Sequence, residues 1–71
     1  MDTQDASIKL DQFLKLIGVV ATGGQAKWLI RDGGVSVNVE VELRRGRKLV
    51  PGDVVELDDE SYLVEMEEPP E

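Results

Sequence analysis

Val35-Ser36-Val37-Asn38-Val39-Glu40-Val41-Glu42-Leu43 runs directly into Arg44-Arg45-Gly46-Arg47-Lys48. In the first part apolar and polar residues alternate, and a period of two in a valine-rich segment marks a β-strand with its odd positions turned inward. Asn38 tolerates a left-handed backbone, so the same residues also fit a tight hairpin folded at Asn38-Val39-Glu40. The pattern is compatible with both. The second part is a basic run in a loop-like setting around Gly46.

Upstream the period changes. Leu10, Phe13, Leu14 and Ile17 have the i, i+3, i+4, i+7 spacing of one helical face, predicting a helix from about Asp11 to Ile17 with Gly18 as its stop. Asp11 is read as a helix-start residue, its carboxylate favoured near the N-terminus. Thr22-Gly23-Gly24-Gln25 has the form of a capping box for a second helix that runs to about Asp32, with Gly33-Gly34 after it. Its inward face is Ala26, Leu29 and Ile30; Gly24, Lys27, Trp28 and Arg31 point the other way. Downstream, Pro51-Gly52-Asp53 is a turn, Val54–Leu57 a strand, Asp58-Asp59-Glu60 a second turn and Tyr62–Met66 a last strand. The order predicts an α+β domain, two short N-terminal helices packed on a small, mainly antiparallel sheet. Residues 1–7 read as a polar lead-in, 8–66 as the domain and 67–71 as an acidic tail.

With 71 residues the chain is one domain at most, and such a core buries only about 60% of the unfolded surface. Cysteine and histidine are both absent, which excludes disulfides, thiolate metal sites and the usual general base. No apolar run approaches the roughly 20 residues that span a bilayer, and the N-terminus is unlike a secretory signal, so the expected compartment is the cytoplasm, with no membrane partner. The acidic cluster Asp53, Asp58, Asp59, Glu60 lacks calcium-loop spacing, and a solvated turn is the expectation, with no metal and no cofactor. No nucleophile elbow, phosphate-binding loop or dinucleotide fingerprint is present, so catalysis is not expected.

Charge is the sharper clue. The net charge is −7, yet four of the eight cations lie in residues 44–48. Residues 51–71 hold nine acids and no base. A local positive field in an acidic chain is the footprint of a polyanion site. Arg44, Arg45, Arg47 and Lys48 suit phosphate oxygens. Gly23, Gly24 and Gln25 open the second helix, where backbone N–H groups are free for an anion, and Lys27 and Arg31 extend that surface. Trp28 is placed to stack on a base or ribose. The alternatives are a solvated loop that offsets acidic charge, a flexible inter-helix turn, and a tryptophan packed under one of the terminal segments.

The ordered set Ile8-Lys9-Leu10-Asp11-Gln12-Phe13-Leu14, Leu29-Ile30-Arg31-Asp32-Gly33, Val35-Ser36-Val37-Asn38 and Pro51-Gly52-Asp53-Val54-Val55 resembles the S-four-type RNA-binding domain, the αL motif, over about residues 8–57. Thr22–Lys27 and Arg44–Lys48 look most like its small stand-alone bacterial members. The resemblance implies a compact α+β module that grips structured RNA, ribosomal or transfer RNA, without catalysis; the expected partners are that RNA and a ribosomal subunit, and the expected state is a monomer. It also adds Lys9 to the binding face. Two departures stand out: Gly23-Gly24 replaces a serine-arginine pair, and Asn38-Val39 replaces the usual Asn-Gly of the strand turn. The competing reading is a protein adaptor that uses its acidic C-terminal half.

Overall fold

A computed structural model describes residues 7–65; the first six residues, Met66 and the acidic tail lie outside the described part. The elements run β1 (Ile8–Lys9), α1 (Leu10–Leu16), α2 (Gly23–Arg31), β2 (Ser36–Val37), β3 (Glu40–Val41), β4 (Lys48–Leu49), β5 (Val54–Leu57) and β6 (Glu60–Leu63). β1 pairs with β4 in a two-stranded ribbon, and the other strands form a sheet in the order β3-β2-β5-β6. Every ladder is antiparallel. The fold is the α+β arrangement expected.

Both helices stop by the same device. Gly18 (φ +82°) follows α1, where its N–H donates to the Lys15 carbonyl and that of Val19 to the Leu14 carbonyl. Gly33 (φ +83°) follows α2, where its N–H donates to Ile30 and that of Gly34 to Leu29. These paired bonds satisfy the last carbonyls of each helix through a left-handed residue that favours glycine. At the other end of α2 the Thr22 hydroxyl accepts the Gln25 N–H at 3.2 Å. The Gln25 side chain reaches back as expected, but one residue further, to the Ala21 N–H at 2.7 Å.

Leu10, Phe13 and Leu14 of α1 and Ala26 and Ile30 of α2 are buried together with Val35, Val37, Leu49, Val55, Leu57 and Val64. One side of each helix thus packs over the inner face of the sheet. Gly34 is tight in this packing: a Cβ there would sit 3.1 Å from Leu29 Cδ1.

The segment 35–43 is a hairpin, and this corrects the reading of its odd positions as inward. Asn38 (φ +52°) and Val39 (φ +67°) form a two-residue turn with positive φ at both positions, the geometry that matches strand twist. Ser36 pairs with Val41 and Val37 with Glu40. Cross-strand partners share a face, so after the turn the even positions face the core. Val35 and Val37 are buried, whereas Val39, Val41 and Leu43 are exposed, and Glu42, opposite Val35, is buried instead.

Three smaller differences remain, two from non-local pairing and one from a tighter turn. Ile8-Lys9, ahead of α1 and given no element in the sequence reading, forms a strand because Lys48–Leu49 lies alongside it. Lys48 accordingly belongs to a strand and not to the basic loop. β6 begins at Glu60, since Asp58 and Asp59 alone make the β5–β6 turn (φ +52° and +65°).

Candidate nucleic-acid interface

The basic run is held against the start of α1 by its own backbone. The Leu10 N–H donates to the Arg47 carbonyl at 2.8 Å and the Asp11 N–H to the Arg45 carbonyl at 3.1 Å, so the loop occupies donors that would otherwise be unpaired. The loop is closed by the Arg47 N–H on the Arg44 carbonyl at 3.2 Å. This brings Lys9, remote in sequence, beside Arg44–Lys48, and Lys9 lies directly opposite Lys48 in the β1–β4 ribbon. Asp11 sits in the first turn of α1, as expected, and its shielded Oδ1 has no partner among the described residues.

Glu42 organises the loop from beneath, and sequence reasoning missed it. Its residue surface is 7% exposed. Oε2 accepts from the Arg44 N–H and from Arg44 Nε, both at 3.0 Å, and Oε1 accepts from Arg47 Nη1 at 2.9 Å. The hydrogen bonds from the Arg44 side chain, its backbone N–H and Arg47 overcome the cost of burial and hold the carboxyl down at about 2, from an ordinary 4.5. The same contact pushes the Arg44 guanidinium up. A carboxylate two residues before one arginine and five before another was the available signal.

The four cations of the run are therefore unequal. Arg47 is turned inward, with its side chain 29% exposed, while Arg44 stays 77% exposed although it is paired. Arg45 and Lys48 are exposed. Of the four expected phosphate contacts, Arg44, Arg45 and Lys48 lie on an exposed surface with Lys9, and Arg47 is a partly buried strut beside them. Among the described residues the ion pairs join the run to Glu42, not to the acidic C-terminal half.

The second cluster lies on α2. Gly24, Lys27, Trp28 and Arg31, with Asp32, line a cleft of about 540 Å³. Trp28 is 77% exposed. On its other side a broader groove of about 740 Å³ is lined by Val19, Val20, Leu29 and Leu57. Nothing lies within 4 Å of a Cβ placed on Gly23, and only Thr22 Oγ1, at 3.9 Å, near one on Gly24, so packing does not demand either glycine. Gln25 spends both its backbone N–H and its side-chain oxygen on the cap. α1 packs against α2 and carries the basic loop at its start, so one helix pair positions both clusters.

Asn38 and Asp53 stitch the turns together. Asn38 Nδ2 donates to Asp53 Oδ1 at 3.1 Å, the Val54 N–H donates to Asn38 Oδ1 at 3.0 Å, and the Val50 N–H donates to Asp53 Oδ2 at 3.0 Å. The Val50 N–H and then Asn38 lower the Asp53 carboxyl from its ordinary value. At the far hairpin the Tyr62 hydroxyl donates to Glu60 at 2.7 Å, which raises the phenol. No helix among the described residues is long and apolar enough to cross a membrane.

Comparison with known proteins adds three findings. The family model described as the S4 domain matches residues 1–65. The probable ribosome maturation protein RlbA of Bacillus subtilis (strain 168) is 55% identical over 51 residues, 72% of each chain. The crystal structure of the 30S ribosomal protein S4e from Thermoplasma acidophilum superposes with a TM-score of 0.65 at 25% identity, over 86% of this chain and 32% of that one.

Proposed function

The chain belongs to the S4 domain family, and from that premise we propose that it is a non-catalytic RNA-binding module that docks on structured RNA, ribosomal before transfer RNA, as a monomer in ribosome maturation. The observation that carries this reading is the fixed cationic surface of Lys9, Arg44, Arg45 and Lys48 in a chain of net charge −7. Backbone bonds to α1 fix the points from which these side chains extend, so the loop itself needs little ordering when it meets a phosphate. Gly23, Gly24, Lys27 and Arg31 take a second stretch of backbone, and Trp28 stacks on an unpaired base or ribose. The name of the Bacillus relative and the fold of the ribosomal protein support a ribosomal partner.

Four to seven phosphate contacts give a log–log salt slope of roughly −3 to −6, at about 0.7 to 0.9 per contact. Between about 50 and 200 mM salt the affinity then falls roughly 60- to 4,000-fold. Trp28 fluorescence and gel shift, with ribosomal and transfer RNA pools, read this directly. Salt-sensitive binding that Arg45→Ala and Lys48→Ala weaken is the expected result. Absence of binding to both pools would favour the adaptor that uses its acidic half.

A further inference from the structure

Lys9 and Lys48 are direct cross-strand partners. The Leu10 N–H donates to the carbonyl of Arg47, the residue opposite it in the same register, so Leu10 and Arg47 form a hydrogen-bonded pair. The adjoining Lys9–Lys48 pair is therefore of the non-hydrogen-bonded kind, with Cα atoms about 4.5 Å apart and side chains at their closest. By alternation, Leu10, Arg47 and Leu49 face inward while both lysines face solvent, where both are exposed. Like charges directly opposite each other destabilise a ladder. This ladder has only two residue pairs, so each position weighs heavily. Among the described residues no acid stands across from either lysine in this ladder. The carboxylate built into this corner, Glu42, is committed to Arg44 and Arg47.

We propose that the Lys9–Lys48 pair is a clamp for one phosphodiester group of RNA, kept at a cost to the stability of the free protein. A phosphate seated between the two ammonium groups converts their repulsion into two charge-assisted hydrogen bonds. Exposed Arg45, whose carbonyl is fixed to α1, supplies the neighbouring cation. The occupant named here rests on the RNA-binding reading above. The clamp's own geometry does not.

A double-mutant cycle of Lys9→Gln and Lys48→Gln tests the clamp, with Lys15→Gln on α1 as a control of equal charge. Melting is measured at low salt without ligand and with tripolyphosphate, and affinity is measured with ribosomal RNA. Each clamp variant should melt no lower than wild type and bind RNA about 5- to 10-fold more weakly, with a salt slope shallower by about 1. The double variant should lose less than the product of the singles, since one ammonium alone cannot clamp. Tripolyphosphate should raise the melting temperature of wild type and the control but not of the double variant. If wild type binds RNA and the clamp variants behave like the control, the clamp is wrong and the RNA reading stands. If RNA does not bind but the tripolyphosphate effect is lost with the lysines, the clamp stands and the RNA reading falls. A wild type that tripolyphosphate does not stabilise overturns the clamp.

Discussion

Replacing Glu42 by glutamine keeps the shape of the side chain and removes its charge. In the folded protein the carboxyl titrates at about 2, against 4.5 ordinarily. At about 1.4 kcal/mol per pH unit, that difference is worth about 3 kcal/mol when fully expressed. The folded value lies below the unfolded one, so the contribution is complete above pH 4.5 and is lost as pH falls toward 2. Glutamine still offers one acceptor oxygen, but it turns an NH₂ group toward two guanidinium groups. The expected cost of Glu42→Gln near pH 7 is therefore about 2–3 kcal/mol, a large share of the stability of so small a domain. Urea denaturation of both proteins at about pH 7 and about pH 2 reads the difference. The gap should narrow to under about 1 kcal/mol in acid, where the wild-type carboxyl is about half protonated in the folded state and almost wholly protonated in the unfolded one. A variant within about 0.5 kcal/mol of wild type at neutral pH, or a gap unchanged in acid, would refute the role assigned to this carboxylate.

Val39→Gly relieves a β-branched residue at φ +67° that is 82% exposed, so it should stabilise the fold by about 1 kcal/mol in thermal unfolding, where a loss would deny the strain. Asn38→Ala removes the bonds to Asp53 and Val54 and should cost about 1–2 kcal/mol, with the Asp53 carboxyl titrating closer to its ordinary value by NMR. Trp28→Ala should leave the melting temperature within a few degrees of wild type yet weaken RNA binding, with base stacking worth about 1–3 kcal/mol. A collapse of stability there would instead make Trp28 a packing residue.

The helical half of the fold was legible because its signals are local. The spacing of Ala26 and Ile30, the Thr22 cap and the glycines after each helix all act within a few residues of the bonds they make. The hairpin was harder to read. Valines continue at every second position straight through the turn, so the pattern hides the change of face, and only Asn38 marks it. With the parity inverted, Val41 and Leu43 moved to the surface and Glu42 moved inside. The basic run was visible as charge, but not the division of labour within it, because Arg47 is drawn inward by a carboxylate that sequence reasoning assigned to solvent. Ile8-Lys9 carries no strand signal of its own. Its pairing with Lys48-Leu49, and with it the juxtaposition of two lysines, exists only once the chain has folded.

Amide chemical-shift mapping of the isotope-labelled protein titrated with a ribosomal RNA pool tests the central claim most directly. The account predicts perturbations at Lys9, along the exposed side of α2 from Gly23 to Arg31 and at Arg44–Lys48, fading together as salt rises. Perturbations confined to the acidic β5–β6 hairpin around Asp58 and Asp59, or no perturbation at all, would contradict it.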